Sequence, residues 1–157
     1  MENLFPRQVR DAMTRKIAVL REEQNLELAE MAMKTYHFRH LPVVEGDKLI
    51  GLVTERDLLR AAVSSLNEAH DLLDDNLKRY YFVREIMTTE VVSVRPESLL
   101  ADAARLLTKN KIDCLPVTQE DGTLVGILTA SDLIELTIGF LDANETTLRE
   151  TGRSATT

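Results

Sequence analysis

The sequence has little of several residue types that mark specialised protein classes. Its 157 residues include one cysteine, Cys114, and no tryptophan, and aromatic residues make up only 4%. A single cysteine excludes a disulfide framework within one chain and suits a reducing compartment, so we expect a cytoplasmic protein. No stretch approaches the roughly 18 consecutive apolar residues of a membrane span. The start, MENLFPRQVR, lacks the apolar region of a secretory signal.

Basic charge is scarce as well. The formal net charge is −7, and residues 83–157 hold twelve acidic side chains against seven basic ones. Nucleic-acid binding draws most of its affinity from neutralising phosphates, which needs the opposite sign of charge. There is no run of Lys or Arg and no basic amphipathic helix to attract a membrane surface. We therefore expect neither nucleic acid nor membrane as a partner.

Motifs for catalysis and metal binding are also missing from the sequence. It has no C-x-x-C, H-E-x-x-H, G-x-S-x-G, P-loop or G-x-G-x-x-G pattern. His37 and His40 are three residues apart in a segment leading into a strand, where they would point to opposite faces. Cys114 has no obvious base to activate it as a nucleophile. We therefore expect no catalytic residues, no metal, no catalytic cofactor and no enzymatic activity.

The chain contains instead a clear internal repeat. VRDAMT at 9–14 recurs as VREIMT at 83–88, and Leu-Pro-Val at 41–43 recurs at 115–117, both with an offset of 74. One residue is then inserted in a turn, where EGDK becomes QEDGT, and Gly51, Thr54 and Asp57 match Gly126, Thr129 and Asp132 with an offset of 75. We assign repeat 1 to 7–66, a helical linker to 67–82, repeat 2 to 83–141 and a polar tail, expected to be disordered past the last helix, to 142–157.

Each repeat reads as a β-α-β-β-α unit. Short runs rich in β-branched residues at 17–20 and 91–94 predict first strands, and Asn25 and Ser98 predict the N-caps of the helices that follow. LPVV with LIGLVT, and LPVT with LVGILT, predict two hairpins, each followed by a helix. One such unit is too small to bury its own sheet. We therefore predict an α+β fold in which two pseudo-symmetric units pack sheet to sheet.

The connection between the repeats has its own pattern. Residues 63–82 contain no Gly or Pro, and Leu66, Ala69, Leu73 and Leu77 have helical spacing, which predicts a helical linker. The aromatic cluster Tyr80-Tyr81-Phe82 is interpreted as packing of this linker against the second unit.

This order of elements resembles the CBS-domain family in its tandem form, the Bateman module, over about residues 7–141. The matching pieces are the apolar-Pro-Val strands, HLPVV and CLPVT, and the G-x-x-T-x-x-D elements at 51–57 and 126–132. The resemblance implies a regulatory protein that binds an adenosine-containing ligand in clefts between the repeats. AMP, ADP or ATP is the first candidate and S-adenosylmethionine the second. It also implies a homodimer and a protein target that senses the ligand.

Residue by residue, the resemblance implies two clefts. The residues of cleft A are Arg39, His40, Leu41, Pro42, Thr54, Arg56, Asp57, Thr88 and Val91. Those of cleft B are Thr14, Ile17, Cys114, Leu115, Pro116, Thr129, Ser131 and Asp132. Gly would let the backbone approach a ligand, the Asp carboxylate could accept a ribose diol, and the LPV strand would wall the adenine.

The two clefts are not expected to be equal. Arg39 and Arg56 are fixed cations, and His40 can become one near neutral pH, so cleft A is predicted to be the better phosphate site. Cleft B has Asp113 and Ser131 in place of the two arginines, which favours an uncharged adenosyl group or no ligand.

Two alternatives to ligand sensing stay open. Each Thr-x-x-Asp element resembles a capping box with Asp in place of Glu, so it could serve only to begin a helix. The clefts would then be vestigial and the functional object would be a structural or interaction dimer. An enzyme, such as a nucleotide hydrolase, is a third reading, and the missing nucleophile and metal set weigh against it.

Overall fold

The computed structural model describes residues 6–68 and 81–153, which form two similar halves. The first half has two helices and a hairpin: α1 (Leu26–Tyr36), β1 (His40–Glu45), β2 (Lys48–Thr54) and α2 (Glu55–Glu68). The second half repeats this order after one extra turn: α3 (Val83–Ile86), α4 (Leu100–Asn110), β3 (Cys114–Thr118), β4 (Leu124–Thr129) and α5 (Ala130–Arg153). A 3-10 helix at Val9–Asp11 precedes them. The predicted α+β class with two repeat units is confirmed.

Helices α1 and α4 have equivalent places in the two halves, but they begin differently. The Asn25 side chain accepts the Leu28 N–H at 3.0 Å, so its predicted role as the N-cap of α1 is confirmed. The prediction for Ser98 is wrong, because the N-cap of α4 is Leu99, which makes no side-chain cap. Ser98 lies one residue earlier, and its hydroxyl accepts the Arg95 N–H at 3.2 Å. Gln24, the aligned residue, likewise accepts the Arg21 N–H at 2.8 Å.

Each sheet is a two-stranded antiparallel hairpin, β1 with β2 and β3 with β4. The two hairpins meet at their turns, where the Leu49 N–H donates to Gly122 O at 3.1 Å and the Leu124 N–H donates to Asp47 O at 2.9 Å. Lys48 adds an ion pair to Asp121 and a 2.9 Å hydrogen bond to the Thr123 hydroxyl. The turn QEDGT of the second hairpin, which is one residue longer than EGDK of the first, therefore lies where the two halves are joined.

The predicted first strands at 17–20 and 91–94 are wrong in extent. Each segment makes a single parallel bridge, Leu20 to Val43 and Val94 to Val117. The Leu20 N–H donates to Pro42 O at 2.8 Å, but the next bond along a parallel ladder would need an N–H at position 42. Proline has none, so the ladder stops. Pro116 ends the second ladder in the same way.

The two halves exchange their first segments. Val9 and Met13 lie in the core of the second half, beside Leu115 and Leu128, whereas Val83 lies in the core of the first half. Matching hydrogen bonds hold both segments: the Val9 N–H donates to Ser98 O at 3.0 Å, and the Val83 N–H donates to Gln24 O at 2.8 Å.

The exchange also corrects the interpretation of the aromatic cluster. Tyr81 packs against the core of the first half, not the second, and its carbonyl accepts the Leu26 N–H at 3.0 Å. The chain leaving the linker is therefore anchored in the first half. Tyr80 lies outside the described residues, as do Ala69, Leu73 and Leu77 of the predicted linker helix.

The last helix is longer than the sequence predicts. α5 continues to Arg153, so the segment assigned to a polar tail from 142 extends the helix. Residues 140–151 contain neither Gly nor Pro, and nothing in them ends a helix. None of the helices in ranges 6–68 and 81–153 combines the length and apolarity that a membrane crossing requires.

Candidate functional site

The Thr-x-x-Asp element caps the helix that follows each hairpin. Thr54 is the last residue of β2, and the Asp57 Oδ2 accepts both the Thr54 N–H at 2.9 Å and the Thr54 hydroxyl at 2.7 Å. The Asp57 N–H donates back to the Thr54 hydroxyl at 3.3 Å. Thr129 and Asp132 make the same three bonds in the second half. The capping role is therefore present in both copies, and it leaves the Asp57 Oδ1 free of the cap.

The residues that precede Leu-Pro-Val lie beside these caps. His40 opens β1 and pairs with Thr54 in the hairpin register, and the Glu55 N–H donates to Arg39 O at 3.0 Å. Cys114 pairs with Thr129 in the same way, and the Ala130 N–H donates to Asp113 O at 2.9 Å.

The segment that follows each exchanged helical turn pairs with the second strand of a hairpin. The Thr88 N–H donates to Leu52 O at 2.9 Å, and the Leu52 N–H donates to Thr88 O at 3.0 Å. Thr14 makes the equivalent pair with Ile127 on β4. Each of these segments is thereby fixed against the hairpin of the opposite repeat.

The glycines of the G-x-x-T-x-x-D elements permit this contact. A Cβ at Gly51 would lie 2.7 Å from the Met87 Sδ and 3.2 Å from Thr88 O. A Cβ at Gly126 would lie 2.6 Å from the Met13 Sδ and 3.1 Å from Thr14 O. The close approach that glycine allows here is to the exchanged segment of the chain, and not to a ligand as predicted from the sequence.

A cavity of about 500 Å³ lies over the first half's cap and reaches the second half. It brings together the cleft A residues Arg39, His40, Thr54, Arg56, Asp57, Thr88 and Val91. Leu41 and Pro42 do not line it, because both are fully buried within the hairpin. The cavity is further lined by Leu52, Glu55, Leu59, Arg60, Glu90, Val92, Lys111, Ile112, Asp113 and Cys114.

Two basic residues of this cavity were not among those predicted from the sequence. Arg60 follows Arg56 by four residues, so helical spacing alone places both on one side of α2. Lys111 comes from the opposite half, where it ends α4 in the left-handed conformation with φ 54°. No spacing along the chain signals that contribution, since it depends on how the halves pack.

Of the residues predicted for cleft B, this cavity and a second one in the described part of the chain are lined by Cys114 and Asp132. Cys114 is buried and lines the cleft A cavity, whereas Leu115 and Pro116 are fully buried. Asp132 lines a separate cavity of about 460 Å³ with Asp11, Glu135, Leu136 and Phe140 among others. Neither cavity is lined by Thr14, Ile17, Thr129 or Ser131.

Burial controls the titration of two side chains at the cavity. Desolvation lowers the pKa of His40, with Arg39 and Arg56 adding to the effect and Asp113 opposing it. The partly buried ring therefore favours its neutral form, so His40 becomes a cation less readily near neutral pH than the sequence alone predicts. Burial also raises the pKa of the Cys114 thiol to about 12, helped by Asp132 and Asp113, so the thiol is not an activated nucleophile. Among the described residues, no group of three or more His, Cys, Asp or Glu side chains is placed to hold a metal ion.

Comparison with known proteins identifies the class of protein that this arrangement represents. The profile of the CBS domain family matches residues 9–64 and again residues 83–139, so the chain belongs to the CBS domain family and carries two copies of the domain. The AcuB protein of Vibrio cholerae is similar in structure, with a TM-score of 0.75, 36% identity, and coverage of 91% of this chain and 98% of that one. CBSX2, solved in complex with AMP, has a TM-score of 0.72 and 29% identity over 86% of this chain and 98% of that one.

The similarity also extends to parts of larger proteins. An inosine-5'-monophosphate dehydrogenase from Korarchaeum cryptofilum is 33% identical over 119 residues, which are 76% of this chain but only 22% of the dehydrogenase. The chain therefore corresponds to about a fifth of that enzyme.

Proposed function

We propose that the chain is a non-catalytic regulatory module that binds an adenosine-containing ligand in cleft A. The observation that carries this proposal is the 500 Å³ cavity, which collects seven of the nine cleft A residues around one helix start. Its volume falls within the range of known small-molecule sites. The AMP complex of CBSX2, which is similar to this chain in structure, supports an adenine nucleotide as the ligand. S-adenosylmethionine is the second candidate. A reducing compartment such as the cytoplasm suits the single free cysteine.

The lining offers chemistry for each part of a nucleotide. The Asp57 Oδ1, which is not used by the cap, can accept a ribose hydroxyl, while Oδ2 is already committed to Thr54. The apolar side chains Leu52, Val92 and Ile112 can pack against a flat base, taking the part first expected of the LPV strand. Arg39 and Arg56 lie at the cavity to contact phosphate.

A ligand-binding assay with a matched pair of variants tests this proposal. We compare the parent with Asp57→Asn and Asp132→Asn, because asparagine retains an oxygen that can accept the N–H of the capped threonine. AMP at about 100 times its dissociation constant should stabilise the parent by about 2.7 kcal/mol in thermal unfolding. Asp57→Asn should weaken AMP binding roughly tenfold or more, since it removes a charged hydrogen-bond acceptor, whereas Asp132→Asn should leave binding nearly unchanged. Equal loss in both variants would contradict the assignment to cleft A.

The signal is proposed to pass to an unidentified protein target through a change in the orientation of the halves or of a homodimer. A ligand touching Arg39 on one half and Lys111 on the other favours whichever arrangement holds both. The homodimer is supported by an exposed apolar stripe on α5, where Ile134, Ile138 and Leu141 have helical spacing and are 52–58% exposed.

The same stripe favours a second candidate function, a structural or interaction dimer with vestigial clefts. The ligand panel separates the two functions. If AMP, ADP, ATP and S-adenosylmethionine all leave the thermal unfolding of the parent unchanged, the interaction dimer is the better account.

A further inference from the structure

Arg60 is placed to act on a ligand in cleft A without being part of the helix cap. Its guanidinium Nη1 lies 3.9 Å from the Asp57 Oδ1, and its side chain is 74% exposed. An exposed pair at this separation contributes little to stability, so it does not hold the arginine in place. Arg60 is thus a cation at the cavity wall, free to reach a charged group on the ligand and adjacent to the one Asp57 oxygen that the cap leaves available.

The charge of the cavity is closely balanced. The described residues that line it include four acidic side chains and four basic ones, which are Arg39, Arg56, Arg60 and Lys111. Because partial burial lowers the pKa of His40, this ring adds little positive charge near neutral pH. Removing one cation leaves an excess of carboxylates, which repels a phosphate and leaves an uncharged adenosyl group almost unaffected.

The second half provides an internal comparison at this position. With the offset of 75, Arg60 aligns with Glu135, and Asp57 aligns with Asp132. Glu135 lines the separate cavity beside Asp132, so a carboxylate stands there where cleft A has a guanidinium. The reversal of charge occurs one helical turn beyond the Arg56 and Ser131 pair, and it extends the difference between the two clefts along the helix.

We propose that Arg60 is a specificity-determining residue that makes cleft A select phosphate-bearing over uncharged adenosyl ligands. The inference rests on the proposed function, since it assumes that cleft A holds an adenosyl ligand. In the bound state, a ribose hydroxyl donates a hydrogen bond to the Asp57 Oδ1, and the Arg60 guanidinium contacts the phosphate. Arg60 therefore contributes to discrimination between ligands, while Asp57 contributes to the binding of both classes.

The test measures the affinities of AMP and adenosine for the full chain by calorimetry, in the parent, Arg60→Gln and Arg60→Glu. Arg105→Glu is the matched control, because Arg105 is 75% exposed and pairs with Asp102 three residues away on α4, yet it does not line the cavity. We expect Arg60→Glu to weaken AMP binding about tenfold or more and Arg60→Gln to weaken it less. Adenosine affinity should change less than about threefold in both, and Arg105→Glu should leave both ligands within that limit. Raising the salt concentration should reduce AMP affinity more in the parent than in Arg60→Gln.

Several results would overturn the inference. Equal weakening of AMP by Arg60→Glu and Arg105→Glu would show a general effect of net charge. Equal loss of AMP and adenosine in Arg60→Glu would make the residue structural, and unchanged AMP affinity would remove its role. In these three cases the parent still binds AMP, so the proposed function survives. A parent that binds neither AMP nor adenosine would overturn this inference, and the proposed function would then be decided by ADP, ATP and S-adenosylmethionine in the ligand panel.

Discussion

His40 is a partly buried side chain whose protonation affects the stability of the whole fold in acid. Its pKa in the folded protein lies below the ordinary value of 6.5, mainly because burial penalises the charged ring. As the pH falls below about 6.5, the unfolded chain binds a proton at this position more readily than the folded chain does. Protonation therefore favours unfolding, and this contribution to stability is present above that pH and lost as the pH falls towards the folded-state pKa.

We predict that His40→Gln reduces the acid sensitivity of the fold. Between about pH 7.5 and about pH 5, the free energy of unfolding should fall less in this variant than in the parent, as measured by urea denaturation at each pH. His37→Asn is the control, since His37 is exposed, lies just after α1 with φ 56°, and asparagine tolerates that conformation. An identical pH dependence in His40→Gln and the parent would contradict the prediction.

The resemblance to the CBS-domain family named seven of the residues that line the cleft A cavity, and the other lining residues show the limit of reasoning from the sequence. Thr54 and Asp57 are joined by local bonds, so their spacing of three residues is enough to place them together. Arg39 and His40 were implied by the resemblance, and the hairpin register places His40 opposite Thr54. Lys111 and Asp113 reach the same cavity from the opposite half, and only the packing of the halves brings them there.

At the scale of the elements, the contact between β2 and the segment after α3 depends on glycine. We predict that Gly51→Ala destabilises the protein by about 1–3 kcal/mol, because the added methyl group must displace Met87 and crowd Thr88 O. The free energy of unfolding from denaturant titration measures this. The change should also lower ligand affinity if cleft A is occupied, since Thr88 forms part of its edge.

Gly139→Ala is the matched control for that substitution. Gly139 lies within α5, where an added Cβ meets nothing within 4 Å. Alanine is favoured over glycine inside a helix by about 0.5–1 kcal/mol, so this variant should be slightly more stable than the parent. If both variants change stability by the same amount and sign, the contact at Gly51 is not the cause.

The elements themselves could be predicted wherever local rules determined them. The helices and hairpins follow from periodicity, and Asn25 follows from capping chemistry. The segments at 17–20 and 91–94 have strand-forming composition, but their partner strands carry Pro42 and Pro116, which supply no N–H to extend the ladder. Strand propensity is a property of one segment alone, whereas a ladder of backbone hydrogen bonds needs N–H donors on both strands.

At the scale of the whole molecule, the boundaries of the sequence repeats differ from the boundaries of the packed halves. The core of the first half contains Leu20, Leu41 and Val53 but also Val83, which lies beyond the linker. The two motifs themselves do not signal this exchange, because VRDAMT and VREIMT are so alike that either would suit either half. Only the clefts implied by the resemblance point to it, since they place Thr88 in cleft A and Thr14 in cleft B. The fold therefore depends on the connection between the repeats as well as on the repeats.

This difference in boundaries predicts which fragment of the chain can fold. All the buried residues of the first core lie within 15–88, whereas 1–66 lacks Val83 and the Tyr81 and Met87 side chains that pack against it. We expect 15–88 to unfold cooperatively in urea, followed by circular dichroism, and 1–66 to show no cooperative transition. Val83→Asp in 15–88 keeps the length and should abolish the transition, because it buries a charge in the core. If 1–66 unfolded as cooperatively as 15–88, or if Val83→Asp had no effect, the exchanged segment would be an accessory to the first half. The predicted result would mean that the first half needs the segment containing Val83, which belongs to the second repeat, to complete its core. A ligand-driven movement of one half would then be transmitted through this shared core to the other half.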